Sequence, residues 1–239
     1  MGARLQIDDI VPSPLAAARS VLTPQQKELG VALIDIGAAT TSLAVFEEGE
    51  LIHLAVFPLG SANITNDIAI GLKTQLPIAE DIKRQHGTCI LTKTEKGKKD
   101  KVLGPERKKI EVFDKSYPVS FTKKLLVDII EPRVWEILNL VQKELKLIGR
   151  QELLPGGVVL TGGGVKLPKI KDLVKQHLKL PCQMGIPKGI VGLLEDPSLS
   201  TVAGLVLGAE DPDESEKKGI LAPSGFFKRV KKIFKVFLP

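Results

Sequence analysis

Two cysteines in 239 residues, Cys89 and Cys182, are too few and too far apart for a disulfide framework or a metal knuckle. Each reads as a buried, reduced thiol. The three histidines, His53, His86 and His177, have neither the spacing of a metal site nor that of a catalytic triad. No run reaches the roughly 18 apolar residues that a membrane-spanning helix needs. The first residues, Met-Gly-Ala-Arg, lack a hydrophobic signal region, which predicts a cytosolic protein. What remains is a chain that is 43% hydrophobic, enough to bury a core in one or two compact units.

Charge becomes informative once it is located. The net +6 is concentrated in two stretches, the loop Lys93–Lys109 and the end of the chain after Ser224, each carrying a net +5. The rest of the chain therefore carries −4. A mildly acidic body with two basic appendages argues against a nucleic-acid footprint spread over the surface. The loop is rich in Lys and Gly and poor in apolar residues, so it reads as a solvated charge run, with lipid headgroups or an acidic partner as the functional alternative.

The centre of the chain is Val31–Phe46. Two short apolar runs, Val31–Ile34 and Leu43–Phe46, read as buried strands. They flank a turn of small residues, Gly37, Ala38, Ala39, Thr40 and Thr41, which follows one carboxylate, Asp35. Such a turn can offer backbone N–H groups and hydroxyls to an anion, and Asp35 can hold a hydrated cation beside it. An ordinary core hairpin accounts for the same residues, because small-residue turns are common. A second stretch repeats the logic. The strand-like Val158–Leu160 is followed by Thr161 and by Gly162, Gly163 and Gly164, then by a helical segment, Pro168–Leu178. Strand, triple glycine, helix brings backbone amides close to a phosphate or sugar. Without a following Gly-Lys-Ser/Thr it is no Walker loop, and contiguous glycines do not make the dinucleotide fingerprint.

Together these stretches resemble the actin, Hsp70 and sugar-kinase superfamily, and more closely the FtsA family of bacterial cell-division proteins. The resemblance rests on Leu29–Gly37, Asn66–Leu72, Ile130–Arg133 and Val159–Gly164, and it covers only the second half of that family's usual length. It implies an α/β, actin-like (ribonuclease H-like) second-half core, residues 29–61 and 151–208, with a small α+β subdomain inserted at 62–150. Residues 1–28 would be the end of the first half, with Ala16, Ala17 and Ala18 normally set against a subdomain that is not in this chain. That segment is therefore expected to dock loosely.

The resemblance also implies a nucleotide cleft for ATP with Mg. Asp35, Gly37, Ala38, Ala39, Thr40 and Thr41 would face the terminal phosphates, Glu80 and Lys83 the ribose, and Gly162, Gly163 and Gly164 the adenosine. The family's glycines and closing Asp are replaced here by Ala38, Ala39 and Ser42, whose added atoms could crowd the phosphates or forbid positive φ. The first-half phosphate loop and its Asp have no counterpart in this chain, so it alone is expected to hydrolyse ATP weakly or not at all. Read without the family, Glu80 and Lys83 are an i, i+3 pair on one helix face.

Taken in order, Leu51–Leu59 completes a strand meander, and Ser61–Leu72 and Pro77–Gln85 read as helices. Thr88–Lys93 and Lys109–Phe113 read as strands joined by the basic loop. Phe121–Leu147 is strongly helical, with a stripe running from Leu125 to Val141, and Pro132 should kink or break it. Arg133, Glu136 and Asn139 share one polar face of that helix. In the FtsA family this face binds the C-terminal tail of the tubulin-like division protein FtsZ, where an Arg can meet an acid bidentately. A merely solvated face is the alternative. Leu193–Leu207 reads as an apolar core helix, with Gly204 allowing close approach.

Residues 209–223 read as an acidic linker and 224–239 as an amphipathic helix capped by Ser224. Phe226, Phe227, Val230, Ile233, Phe234 and Phe237, followed by Leu238, trace one helical face. Lys228, Arg229, Lys231, Lys232 and Lys235 cover the other. That is the pattern of a helix lying in an anionic membrane surface. Each buried Phe is worth at most ~1.5–3 kcal/mol and each cation ~1 kcal/mol near anionic lipid, from which ordering the helix subtracts about 1 kcal/mol per residue. One tail should then bind reversibly, and many tails on one filament by avidity. The resemblance accordingly implies a tether of the FtsZ ring at the cytoplasmic face of the membrane, self-associating into filaments. A fragment of an ATP-hydrolysing actin-like protein and a pilus-assembly actin-like scaffold are the alternatives.

Overall fold

A computed structural model describes residues 10–91, 108–113 and 118–209. The linker, the amphipathic tail and most of the basic loop fall outside these residues. Strands β1 (Val31–Ile36), β2 (Thr41–Glu47) and β3 (Glu50–Phe57) form an antiparallel meander. Strand β6 (Val158–Thr161) joins β1 in parallel, and β7 (Cys182–Met184) joins β6 in parallel, for a spatial order β3-β2-β1-β6-β7. Both faces of the central strands are covered, which explains why β1 and β2 read as continuous apolar runs rather than alternating ones. Ala32, Ile34, Ile36, Leu43 and Val45 belong to the larger core. Val31, Leu33, Ala44 and Phe46 belong to a second core on the opposite face.

That second core is closed by α1 (Ser13–Val21), which corrects the expectation of a loosely docked N-terminal segment. Ala16, Ala17 and Ala18 are fully buried. The surface that covers them comes from within the chain. Helix α7 (Ser200–Ala209) crosses so close that a Cβ on Gly204 would lie 1.6 Å from the Ala16 carbonyl oxygen. Small residues on both partners permit this approach. Between α1 and β1, α2 (Pro24–Leu29) is opened by a capping box in which Thr23 and Gln26 exchange hydrogen bonds.

The larger core receives α3 (Ser61–Leu72), α4 (Leu76–His86), α5 (Lys123–Leu147) and α6 (Ile170–Leu178). Several local expectations are revised. Thr88–Leu91 is not a strand. Strand β4 (Lys109–Phe113) pairs instead with β5 (Pro118–Thr122) as an antiparallel hairpin, so Phe121 belongs to a strand and not to the helix that follows. Helix α5 continues through Pro132, because Pro132 is exposed while Ile130, Val134, Ile137, Leu138, Val141 and Leu145 bury a continuous stripe. Burial on that scale outweighs the roughly 3 kcal/mol penalty of an interior proline. Leu125, assigned to the stripe, is 41% exposed. The segment after the second glycine turn is a single 3-10 turn, Gly163–Lys166, before α6 begins at Ile170.

The histidines and cysteines take structural roles. His53 pairs with Glu144 at 2.9 Å, His86 stacks edge-on to Phe121, and His177 packs edge-on to Trp135 at 4.3 Å. Cys89 is buried and Cys182 only half-buried, and burial pushes both thiols up to about 12, far from thiolate reactivity. Among the described residues no helix is long and apolar enough to cross a membrane.

Candidate functional site

The two small-residue turns meet because β1 and β6 are parallel neighbours. Asp35 lies opposite Thr161 in their register, so the chain leaves both strands side by side at their C-terminal ends. Ligands in open α/β sheets bind at such strand ends.

The first turn is held by its carbonyls. The Ser61 amide donates to the Gly37 carbonyl and the Ala62 amide to the Ala38 carbonyl, both at 2.9 Å, which satisfies the first N–H groups of α3. Gly60 makes this contact possible, since a Cβ there would meet the Ala38 oxygen at 2.4 Å. In a trans peptide the N–H points opposite to the C=O. The Ala38 and Ala39 amides therefore point away from α3, and Ala38, Ala39 and Thr40 are exposed. No residue from Gly37 to Thr41 has positive φ, so Ala38 and Ala39 strain nothing. The expectation that alanines here would forbid a positive φ is corrected, because the turn needs none.

The second turn differs. Gly162 has φ +89°, and a Cβ on it would meet Asp35 Oδ1 at 2.2 Å and the Ile36 carbonyl oxygen at 2.5 Å. Only glycine fits. Gly164 is similarly pressed on Ile36, whereas Gly163 faces nothing nearer than Ser198 Cβ at 3.8 Å. The turn is anchored from below by buried hydroxyls. Thr161 Oγ1 lies 2.6 Å from Ser200 Oγ and reaches the Gly185 and Pro197 carbonyls, and Ser20 donates to the Ser200 carbonyl at 2.8 Å.

Between the turns stands Asp35, whose carboxyl is pushed above its ordinary range by burial, only partly offset by a 3.4 Å hydrogen bond from Thr201. A carboxylate disfavoured by burial is the state that a bound cation would relieve. Thr41 Oγ1, fully buried at the start of β2, has no hydrogen-bond partner, but Thr41 pairs with Ile36 in the register and so projects from the opposite face of the sheet to Asp35. One carboxylate beside the Thr201 hydroxyl, with exposed main-chain amides on the adjoining turn, fits a hydrated magnesium ion beside a phosphate. If such a group binds, Asp35 would hold the hydrated ion and the Ala38 and Ala39 amides the anion.

Lys83 adjoins this wall from α4. It is 8% exposed, and its Nζ donates to Thr65 Oγ1 at 2.8 Å and to the Ser61 carbonyl at 3.1 Å while pairing with Glu80 at 2.7 Å. Burial would raise the Glu80 carboxyl, but hydrogen bonds from Lys83 and Thr65 and the nearby cations hold it below its usual range. The Glu80–Lys83 pair is thus a part-buried network and not a solvated surface pair.

The α5 face is arranged differently from the sequence reading. Arg133 already makes its bidentate contact within the chain, to Asp67 of α3 at 2.6 and 2.9 Å, and also bonds Glu136. Its proton is held more tightly than usual, chiefly by the Asp67 hydrogen bonds. Asn139 stands apart, on the rim of a hollow of about 310 Å³ lined with Gln142, Lys143, Lys146 and Gln151. Sequence reasoning missed Asp67, Thr65, Ser200 and Thr201. Of these only Asp67 lay within a stretch that carries the family resemblance, Asn66–Leu72. Phe226, Phe227, Lys228, Arg229, Val230, Lys231, Lys232, Ile233, Phe234, Lys235, Phe237 and Leu238, which the sequence assigns to a membrane surface, lie outside the described residues.

A five-stranded sheet of this order, with two adjacent turns at its strand ends, defines the chain as an actin-like α/β protein. Solved structures agree on the fold. MreB5 of Spiroplasma citri bound to ADP superposes with a TM-score of 0.67 at 16% identity, over 87% of this chain and 61% of that one. The PilM–PilN type IV pilus biogenesis complex gives 0.61 at 20% identity, over 84% and 52%. Residues 32–204 match the family of the cell division protein FtsA, and the chain belongs to that family. It is 38% identical to the cell division protein FtsA of Pseudomonas aeruginosa over 206 residues, 85% of this chain and 48% of that protein. To that of Bacillus subtilis it is 39% identical over 204 residues, 85% and 44%. The chain spans about half the length of these relatives. At such identities the cell-division family is favoured over the pilus-scaffold alternative, with which only the fold is shared.

Proposed function

We propose that this chain is a peripheral tether that links the division ring to the inner face of the cell membrane. The observation that carries this reading is the sequence of residues 225–239, where six apolar residues fall at the spacing of one helical face, among five cations and no acid. Membership of a cell-division family supports the placement at the division ring, and self-association would multiply weak tails by avidity. Asp35, Gly37–Thr41, Glu80, Lys83 and Gly162–Gly164 form one wall of an ATP·Mg cleft. With that wall alone, nucleotide binds weakly and hydrolysis is slow or absent.

The FtsZ tail docks on the α5 face, where Arg133 must be shared between Asp67 and the incoming acid. This gives a test with a sign. Asp67→Asn frees the guanidinium and should tighten binding of an FtsZ-tail peptide, Arg133→Ala should weaken it, and fluorescence anisotropy reads both. For the membrane, co-sedimentation with vesicles rich in phosphatidylglycerol should capture the wild-type chain at low salt. Capture should fall with rising salt and be lost in the Phe226→Asp/Phe234→Asp double variant. A wild-type chain that stays in the supernatant contradicts the tether.

A further inference from the structure

Strand β3 closes one side of the sheet, and among the described residues nothing pairs with its outer edge. Edge strands are ordinarily blunted by lysine, proline or inward-pointing charge. Glu50–Phe57 has no lysine and no proline, and its one acid is the first residue. Its face on the α1 side is also uncovered, since α1 packs over β1, β2 and β6. Leu54 and Val56, which pair with Ala44 and Ser42 on that face, are 38% and 57% exposed. A bulge at Leu51–Ile52 shifts the register and guards only that end of the edge, which leaves His53–Phe57 as its regular, unguarded stretch.

We propose that this edge pairs with the β3 edge of a second copy, antiparallel about a two-fold axis at Ala55, to form a continuous ten-stranded sheet. The stretch is self-complementary in that register. Leu54 of one copy falls opposite Val56 of the other, and the same pair recurs on the far side of the axis. The small Ala55 residues meet on the axis, and His53 falls opposite Phe57. No charged residue opposes its like, because the two Glu50 side chains lie at opposite ends beyond the paired stretch. An isologous contact needs this property, the same patch serving both partners. Apolar cross-strand pairs on one face and main-chain hydrogen bonds along the edge are its only sources of stability, so the pairing is weak and depends on concentration. This lateral contact goes beyond the tether reading and does not rest on it, since it requires neither lipid nor nucleotide nor the tail.

Sedimentation velocity on the full chain should show a dimer whose fraction grows with concentration and is lost in Val56→Lys, where two lysines would enter the paired edge. At that exposure the substitution leaves the fold intact, which circular dichroism checks. A mixture of Leu54→Cys and Val56→Cys chains, oxidised mildly, should give a mixed disulfide between positions 54 and 56 in yields above either variant alone, mapped by mass spectrometry. Self-association unchanged by Val56→Lys, or no 54–56 cross-link above the single-variant controls, overturns the proposal. So does a chain that stays monomeric at every concentration.

Discussion

The Gly37–Thr40 turn and the Gly162–Gly164 turn leave neighbouring strands at the same end of the sheet, yet they use small residues for opposite reasons. In the first, no residue needs positive φ and the alanines point into solvent, so smallness keeps the surface open for an approaching group. In the second, Gly162 is left-handed and wedged against Asp35 and Ile36, so smallness is demanded by the chain itself. Alanine is therefore free at the first turn and forbidden at Gly162 of the second. Tolerance at a glycine-like position is set by φ and by what a Cβ would touch, and not by proximity to the ligand.

The comparison can be broken most forcefully at Gly162. Gly162→Ala should cost about 2–5 kcal/mol, from left-handed strain plus overpacking against Asp35, and a chemical denaturation curve reads it. Gly163→Ala, one residue on, should leave that curve nearly unmoved. The next effect concerns the carboxylate between the turns. Burial raises the Asp35 pKa in the folded chain, so ionisation is unfavourable there. The stability it contributes is complete below its unfolded value, near 3.9, and is lost as pH rises through the raised folded one. At neutral pH Asp35→Asn should therefore raise the melting temperature while weakening any magnesium-dependent nucleotide binding. A fall in melting temperature would mean that Asp35 serves the fold and not a ligand.

At the first turn, Ala38→Gly and Ala39→Gly should each cost about 1 kcal/mol or less, because glycine only loosens the unfolded chain. The smallest effect lies outside both turns. Burial lowers the His177 pKa and leaves its Nε2 without a partner, so the stability it contributes is complete above about pH 6.5 and is lost as pH falls through the lower folded value. Melting curves between pH 7.5 and 5 should be flatter for His177→Gln than for wild type.

Much of the sheet was legible because β1 and β6 carry unbroken apolar runs bounded by glycine, and both turns followed directly from those runs. The docking of α1 was not legible. Three alanines carry little hydrophobic signal, and their burial depends on Gly204, 188 residues away from Ala16 in the chain. Strand β4 found its partner in β5 rather than in Thr88–Lys93, because the shorter connection wins where neither run is strongly patterned. Proline marked a break in α5 that tertiary burial overrode. At the candidate site, Asp35 and the glycines were readable from type and spacing. The bond from Arg133 to Asp67 joins two helices, and no periodicity within either one encodes it.

A tether of this kind must hold lipid at one end and a division-ring protein on its body. Recruitment of a fluorescent FtsZ-tail peptide to vesicles rich in phosphatidylglycerol tests this most directly. Peptide should float with vesicles only when the chain is present, and recruitment should vanish in Phe226→Asp/Phe234→Asp and fall in Arg133→Ala. Vesicles that carry the chain but leave the peptide in solution, or peptide bound by chain that never reaches the vesicles, would contradict the tether.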